Sequence, residues 1–215
     1  MIPSSVLLVT GALFLWNLAV IHLFAKWTYD YFVTWQDVPA EYVARKVIHI
    51  LRGGMTALAT PMFFEGFYWI IGVSSFLIAG YLIFWRMRGR LSWFQVEENS
   101  YEVHFAFAYG VVLLWSNWIG DIWVGLIAVL FMSFGDSATG LVRAFNQKRH
   151  IKTWDGTIAM FIVSSVIGYW ALGYYGVFIA AAVSLVEKIP GIDDNITIPI
   201  VSVILTYIGR FILNI

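Results

Sequence analysis

The sequence predicts an all-α membrane protein, a single polytopic bundle of about eight transmembrane helices. Three observations support this class. Of the 215 residues, 60% are hydrophobic and only 12% are charged, whereas soluble domains carry about 25% charged residues. The mean hydropathy is +0.79. Long apolar runs recur along the whole chain, so we treat 1–215 as one integral membrane domain. This composition excludes a disordered chain, a soluble enzyme and a nucleic-acid-binding protein.

The individual spans follow from the length that a bilayer requires. A helix that crosses a membrane needs about 20 mostly apolar residues. Residues 1–25 have no basic segment before the apolar run, so we expect a retained span rather than a cleaved signal peptide. The stretch 27–44 is either a helix lying in the membrane interface or a connecting loop. The predicted spans are 4–25, 46–64, 67–85, 101–117, 121–142, 156–173, 174–189 and 197–213, and the break at 173 rests only on a Gly-Tyr-Tyr-Gly turn.

The distribution of basic residues predicts the orientation. With eight spans, eleven of the 13 Lys and Arg residues fall at one face of the membrane. Cytoplasmic loops carry an excess of Lys and Arg, so this face is predicted to be cytoplasmic and both termini to be outside. The polar material that could form a site is concentrated there, facing the cytoplasm of a plasma membrane if the cell is prokaryotic. The chain has no cysteine, which excludes thiolate chemistry.

Two polar clusters lie near the second and fourth spans. On a helix, Arg45, His49 and Arg52 share one face, where they would suit an anion. Extension of their charged ends to the membrane interface, known as snorkelling, could by itself explain the presence of Arg45 and Lys46. Glu102, four residues after a second glutamate, could hold a divalent metal or act as a general base. A solvated helix end is the alternative for these carboxylates.

A third cluster surrounds Asp136 inside the fifth span. An ionised carboxylate at this depth needs a metal or a cation, and a salt bridge to a nearby arginine is the alternative. Gly135 and Gly140 have the spacing of a phosphate-binding loop, but Leu-Val at 141–142 replaces the required Lys-Ser/Thr, so we reject a P-loop. Beyond Arg143, the loop 146–156 carries basic side chains that suit polyphosphate or anionic lipid headgroups, namely Lys148, Arg149, His150 and Lys152.

The fourth cluster runs from Glu187 to Pro199 and contains Asp193-Asp194-Asn195 between two apolar spans. Its oxygen atoms are the hard ligands that Mg²⁺ prefers, and an ordinary Asx-rich turn is the alternative. Taken together, the clusters supply acidic metal ligands and basic phosphate ligands on one membrane face. Phosphoryl transfer requires this combination of charge neutralisation and alignment. The residues therefore predict nucleotide or phospholipid phosphate chemistry at the cytoplasmic interface.

In order and spacing, these motifs resemble those of the CTP-dependent polyprenol kinase family, which includes dolichol kinases, phytol kinases and fungal-type diacylglycerol kinases. The resemblance spans roughly 41–205. It rests on Arg-Lys-x-x-His at 45–49, on Gly-Asp at 135–136 with Lys-Thr-x-x-Gly at 152–156, and on Asp-Asp-Asn at 193–195.

The resemblance implies transfer of the γ-phosphoryl group of CTP to a lipid alcohol, with Mg²⁺ as cofactor. The alcohol would be phytol, geranylgeraniol, a dolichol-like prenol or diacylglycerol. The catalytic candidates are Lys46, His49 and Asp136, and the metal ligands would be Asp136, Asp193 and Asp194. The nucleotide-binding candidates are Gly135, Gly140, Arg143, Lys152, Thr153 and Asn195. Arg45, Arg52 and Glu102 are possible additions, and the general base stays open between His49, Asp136 and Glu102.

Two other functions fit parts of the same pattern. A cytidylyltransferase would use CTP, metal and the same membrane face, but would release pyrophosphate and a CDP-lipid. A transporter would require polar residues that continue to the outer side. The outer halves of the spans are nearly free of charge, with Glu65, Asp121 and Arg210 near their edges. We therefore expect CTP, a lipid alcohol and the bilayer as partners, and no nucleic acid. The sequence does not indicate whether the protein is a monomer or an oligomer.

Overall fold

The computed structural model describes residues 2–146 and 151–214, and within these ranges the chain is helical with no β-strand. We label the helices in chain order, as follows: α1 is Ser4–Phe32, α2 is 40–63, α3 is Trp69–Arg88, α4 is Tyr101–Trp118 and α5 is Ile122–Phe145; Trp154–Glu187 is divided by a kink into α6 (154–171) and α7 (174–187); and α8 is Asp194–Ile212. Lys148, Arg149 and His150, which we predicted to suit polyphosphate or lipid headgroups, lie outside the described residues.

Five of the described helices are long and apolar enough to cross a membrane: α1, α3, α5, the segment containing α6 and α7, and α8. The all-helical, membrane-type fold class is therefore confirmed. The eight helical segments follow the eight predicted spans in order, with ends that differ by several residues. Eight membrane crossings with both termini outside stay a prediction.

The break between α6 and α7 falls at Leu172 and Gly173, whose backbone angles are not helical. Gly173 has φ +58°, a left-handed conformation that glycine adopts without strain. On either side, Gly168 and Gly176 pack backbone to backbone, since a Cβ added to Gly168 would lie 2.3 Å from the Gly176 carbonyl oxygen. In a continuous helix these two residues would be about 12 Å apart along the axis. The segment is therefore a hairpin, as the Gly-Tyr-Tyr-Gly sequence indicated.

The stretch 27–44 corrects one expectation, because no separate interfacial helix forms there. Helix α1 continues to Phe32, a turn occupies 33–39, and α2 begins at Ala40 after Pro39. The first turns of α2 bury Ala40, Val43 and Ala44, while Glu41 and Tyr42 between them are partly exposed. This amphipathic pattern is why the helix starts six residues before the predicted apolar span.

Helix α5 forms the centre of the bundle. Its residues from Val124 to Ser133 are buried, whereas the outer helices expose large apolar side chains such as Leu8 and Val166. An apolar exterior of this kind suits contact with lipid. The central position of α5 brings its polar residues, above all Asp136, inside the protein.

Both helices that carry the key polar residues widen into a π-helical turn near them. These turns are His49–Gly54 in α2 and Phe131–Gly135 in α5, directly before Asp136. Such turns often occur at functional sites, but α1 and α8 also contain one each, at Val20–Phe24 and Ile208–Ile212. The turns in α2 and α5 meet closely, because a Cβ on Gly53 would lie 2.5 Å from the Ser133 hydroxyl oxygen. Small residues therefore let α2 and α5 approach where their polar residues face each other.

Candidate active site

A cavity of about 660 Å³ lies at the end of the bundle that we predict to be cytoplasmic. Its walls come from α2, the start of α4, the second half of α5, residues 151–152, and the segment from the end of α7 to the start of α8. The cavity therefore joins stretches of chain that are far apart in sequence. The predicted site residues that line it are Arg45, Lys46, His49, Asp136, Arg143, Lys152, Asp193, Asp194 and Asn195.

The most buried part of the wall is a cluster of Lys46, His49 and Asp136. The Lys46 ammonium donates to Asp136 Oδ2 at 2.6 Å, and His49 Nδ1 lies 3.3 Å from the same oxygen. All three residues are buried. The His49 ring stacks on Phe105 with ring centroids 3.9 Å apart. Asp136 thus neutralises Lys46, while His49 Nδ1 lies near the same carboxylate without a hydrogen-bond partner among the described residues. Such clusters of buried ionisable groups are typical of sites that handle charged or proton-exchanging groups.

Gly140 has a steric role beside this cluster. It does not line the cavity, but a Cβ added there would lie 2.1 Å from Lys46 Cε and 2.9 Å from its Cδ. The Lys46 side chain therefore passes directly over the bare backbone of α5 on its way to Asp136. Ser137 lies at the same contact: its hydroxyl donates to the Ser133 carbonyl oxygen at 2.5 Å and lies 3.4 Å from the Lys46 carbonyl oxygen.

A second ion pair joins the segment before α6 to the start of α8. Lys152 Nζ donates to Asp194 Oδ1 at 2.5 Å. Lys188 donates to the Lys152 carbonyl oxygen at 2.5 Å and lies 5.1 Å from the Trp154 ring centroid. These contacts hold two lysines and one carboxylate at the cavity wall.

The residues next to Asp194 fix the turn that presents it. Asp193 caps α8 by accepting from the Asn195 backbone N–H at 3.0 Å, and its other oxygen lies 2.5 Å from His104 Nδ1. The Asn195 side-chain amide donates to the Tyr101 carbonyl at 3.3 Å. The Asx-rich turn and the candidate site are therefore the same structure, so the two interpretations of this motif are compatible.

Arg143 is paired with a residue that sequence reasoning did not select. Its guanidinium donates to Glu187 of α7, and Glu187 is fully buried. This ion pair connects the end of α5 to the end of α7, and Arg143 forms part of the cavity wall. Arg45 has a comparable position: it donates to Asn99 Oδ1 at 2.9 Å, and its guanidinium lies 5.7 Å from the centre of the Tyr42 ring.

Besides Gly140, four further predicted residues do not line this cavity. Arg52 lies deeper in α2 and donates to Ser75 Oγ at 3.3 Å. Glu102 accepts from Arg86 at 2.8 Å and from Gln95 at 3.1 Å, which holds the loop 89–100.

The other two predicted residues support the helices. Gly135 packs against α6, because a Cβ there would lie 2.5 Å from Ser164 Oγ. Thr153 caps α6 by accepting from the Gly156 backbone N–H at 3.3 Å. Their predicted contact with a nucleotide stays a prediction, as does that of every site residue above.

Sequence reasoning gave no role to Tyr42, Tyr101, Glu187 or Lys188, which belong to this region. The tyrosines carried no signal of their own, because aromatic residues at span ends are typical of every membrane protein. Glu187 and Lys188 stood at the start of the fourth polar cluster, at the end of a predicted apolar span, but were assigned no partner. Their roles depend on the direction of α7, which the hairpin sets.

The oxygen donors fit Mg²⁺ by their chemistry. Three carboxylates, those of Asp136, Asp193 and Asp194, line one cavity, and the buried Asn195 Oδ1 has no hydrogen-bond partner within residues 2–146 and 151–214. Such hard oxygen ligands are the type that Mg²⁺ prefers. In the same ranges, however, no three acidic or imidazole groups stand close enough to form a ready-made metal cluster. A metal would have to take carboxylates from their present Lys and His partners.

The comparisons with known proteins agree with the motifs. The chain is distantly similar to a plant phytol kinase. That protein, named "Probable phytol kinase 2, chloroplastic", is from Glycine max and is 25% identical over 199 residues, which cover 77% of this chain and 65% of the plant protein. An uncharacterized protein of Methanocaldococcus jannaschii is 32% identical over 124 residues, covering 55% of this chain and 60% of that protein.

The chain thus spans less than two thirds of the length of either relative. No family model matches it, and no solved structure gives a significant match. The similarity to the plant protein supports the resemblance that the motifs carry.

Proposed function

We propose that this protein is a membrane lipid kinase that transfers the γ-phosphoryl group of CTP to the hydroxyl of a lipid alcohol, with Mg²⁺, at the cytoplasmic face. The observation that carries the proposal is the convergence of two buried or half-buried ion pairs, Lys46–Asp136 and Lys152–Asp194, on one cavity. The similarity to a plant phytol kinase supports a prenol as the acceptor.

The positive charge of the cavity suits such an anionic ligand. Its described lining contains five basic residues, namely Arg45, Lys46, Arg143, Lys152 and Lys188, against three aspartates, and Glu187 balances Arg143 from behind the wall. An excess of positive charge remains. A magnesium–nucleoside triphosphate carries a net charge of about −2, because the metal offsets half of the triphosphate charge. The lysines would turn from the aspartates to phosphate oxygens, and the aspartates would turn to the metal.

The residues of the central cluster would then have separate roles in phosphoryl transfer. Lys46 would hold the transferring phosphoryl group through charge-assisted hydrogen bonds. His49, whose Nδ1 lies 3.3 Å from Asp136, would accept the proton of the lipid hydroxyl at its other ring nitrogen. Mg²⁺, when bound, would offset the charge that develops on the phosphate oxygens. Arg143, aimed by Glu187, would bind further phosphate oxygens.

The decisive experiment is a product analysis with purified protein, CTP labelled in the nucleoside and in the γ-phosphate, and a panel of phytol, geranylgeraniol, a short dolichol and diacylglycerol. A kinase yields CDP and a labelled lipid phosphate. Pyrophosphate with a labelled CDP-lipid would instead identify a cytidylyltransferase. Equal use of ATP would contradict the proposed nucleotide preference, and no product with any acceptor would contradict the kinase itself.

A matched pair of substitutions tests the assigned site. Asp136→Asn should abolish turnover because it removes the charge that faces Lys46 and the proposed metal. Asp30→Asn makes the same chemical change at an exposed ion pair with Lys26, neither of which lines the cavity, and should leave turnover unchanged. Near-normal turnover of the Asp136→Asn protein would remove this cluster from the mechanism.

A further inference from the structure

A second cavity, of about 760 Å³, lies among α1, α2, α3 and α4. It shares no lining residue with the candidate active site. Apolar side chains from α1 and α3 form much of its wall, including Leu13, Phe14, Leu18, Ile71, Leu77 and Ile78. A volume of this size is typical of a pocket that holds one small ligand.

The outer edge of this second cavity lies between α1 and α3. Phe14 is 56% exposed and Leu77 is 70% exposed, and both also line the cavity. Gly11 lines it as well, and a Cβ added there would meet nothing within 4 Å. These residues belong to helices whose apolar surfaces suit lipid contact. A hydrocarbon chain could therefore enter sideways from the bilayer without passing through water.

Arg52, which is only 4% exposed, is the one Lys or Arg residue of the described lining of the second cavity, and it lies among neutral polar side chains and His22. Its one hydrogen bond goes to Ser75 Oγ at 3.3 Å, and its guanidinium carbon lies 5.8 Å from the Phe105 ring centroid. Within residues 2–146 and 151–214, Nε and Nη1 have no hydrogen-bond partner. The described residues lining the cavity include no Asp or Glu.

A buried guanidinium without a counter-charge is unfavourable in the interior of a membrane protein. Arg52 lies about 9 Å further along the axis of α2 than Lys46, well away from the cytoplasmic end. Snorkelling to the interface, which suits Arg45, is not observed for Arg52, since it is enclosed. Within the described part of the chain, Arg52 therefore has no salt-bridge partner beside this apolar cavity. Glu102, which lines a small third cavity with Arg52, is paired with Arg86.

We propose that the second cavity binds a single-chain lipid carboxylate, with the hydrocarbon chain in the apolar pocket and the carboxylate at Arg52. A carboxylate brings one negative charge, which matches the single guanidinium, and its two oxygens suit the planar fork of arginine. A phosphomonoester would bring a charge of about −1.5 to −2 and leave negative charge unbalanced. The proposal does not depend on the lipid-kinase function.

The test compares three ligands with the same chain: palmitate, hexadecanol and hexadecyl phosphate. Binding to the purified protein in detergent is measured at alkaline pH, where the carboxylate is ionised. We expect palmitate to bind at least about tenfold more tightly than hexadecanol, since a charge-assisted pair in an enclosed site contributes at least that much. Arg52→Met should remove this preference while the unliganded protein melts at the same or a higher temperature, because a buried unpaired charge is lost.

Two further variants separate this site from the active site. Gly11→Leu should weaken the binding of all three ligands, because it fills the open edge between α1 and α3. Lys152→Ala, which alters only the other cavity, should leave palmitate binding unchanged.

Three results would overturn the proposal. They are equal affinity for palmitate and hexadecanol, a palmitate preference that survives Arg52→Met, and an Arg52-dependent preference for hexadecyl phosphate over palmitate. If Lys152→Ala weakens palmitate binding, the ligand lies in the active site instead.

Discussion

Replacing Gly140 with alanine tests whether the Lys46 side chain must pass over bare backbone to reach Asp136. The added Cβ would lie 2.1 Å from Lys46 Cε. Carbon atoms settle at about 3.5–4.0 Å, so Cε must move by roughly 1.4 Å or more. Because the obstructed atom belongs to a flexible side chain, the lysine can move while α2 and α5 keep their places.

The displacement is large compared with the contact that it disturbs. Lys46 Nζ lies 2.6 Å from Asp136 Oδ2, and a shift of the same size would stretch this to about 4 Å, beyond hydrogen-bonding distance. A misplacement of about 1 Å can reduce turnover by about 100-fold. We expect a loss of that order in kcat. The melting temperature should change little, since alanine in a helix contributes about 0.5–1 kcal/mol that partly offsets the weaker ion pair.

The measurement is the rate of CTP-dependent lipid phosphorylation together with thermal unfolding of the purified variant. Gly80→Ala is the matched control, because Gly80 lies inside α3 and a Cβ there meets nothing within 4 Å. The control should keep wild-type turnover. Turnover of Gly140→Ala within twofold of wild type, or equal losses in both variants, would refute the steric argument.

Three further outcomes are expected. In steady-state kinetics, Lys152→Ala and Asp194→Asn should each raise the KM for CTP about tenfold. Because the two residues share one ion pair, the free-energy effects of the two substitutions should be less than additive in the double variant. Strictly additive effects would contradict that pairing. Gly168→Val should lower the unfolding free energy by about 1–3 kcal/mol in denaturant titrations, since its side chain would strike the Gly176 backbone, and Gly80→Val should lower it less. A reporter fused after the last residue should be active only outside the cytoplasm; cytoplasmic activity would contradict eight crossings.

The helical segments were largely predictable because each depends on a local property. A run of apolar residues long enough to cross a bilayer must form a helix, whatever surrounds it, since its backbone groups have no other partners there. The segment ends were less predictable. Helix α2 begins at Ala40 rather than 46 because its first turns are amphipathic rather than apolar. Helix α1 similarly continues to Phe32 through mixed residues.

Within the site, spacing along one helix predicted shared faces but not shared cavities. Arg45, His49 and Arg52 follow one stripe of α2, yet Arg52 lines the second cavity while the other two line the first. Helix α4 explains the division, since the Phe105 ring packs against His49 and lies near Arg52. Glu102 is a similar case, because its partners come from α3 and the following loop.

The sequence by itself determined that the chain is helical, that it suits a membrane, and that its acidic and basic motifs are concentrated in a few short stretches. Composition and local spacing are sufficient for these conclusions, because the bilayer imposes the same requirements on every helix. Only the tertiary structure decided which motifs meet. The packing of α2 on α5 brings Lys46 to Asp136, and the hairpin before α8 brings Lys152 to Asp194. These pairs are 90 and 42 residues apart, and contacts at such separations depend on how whole helices pack.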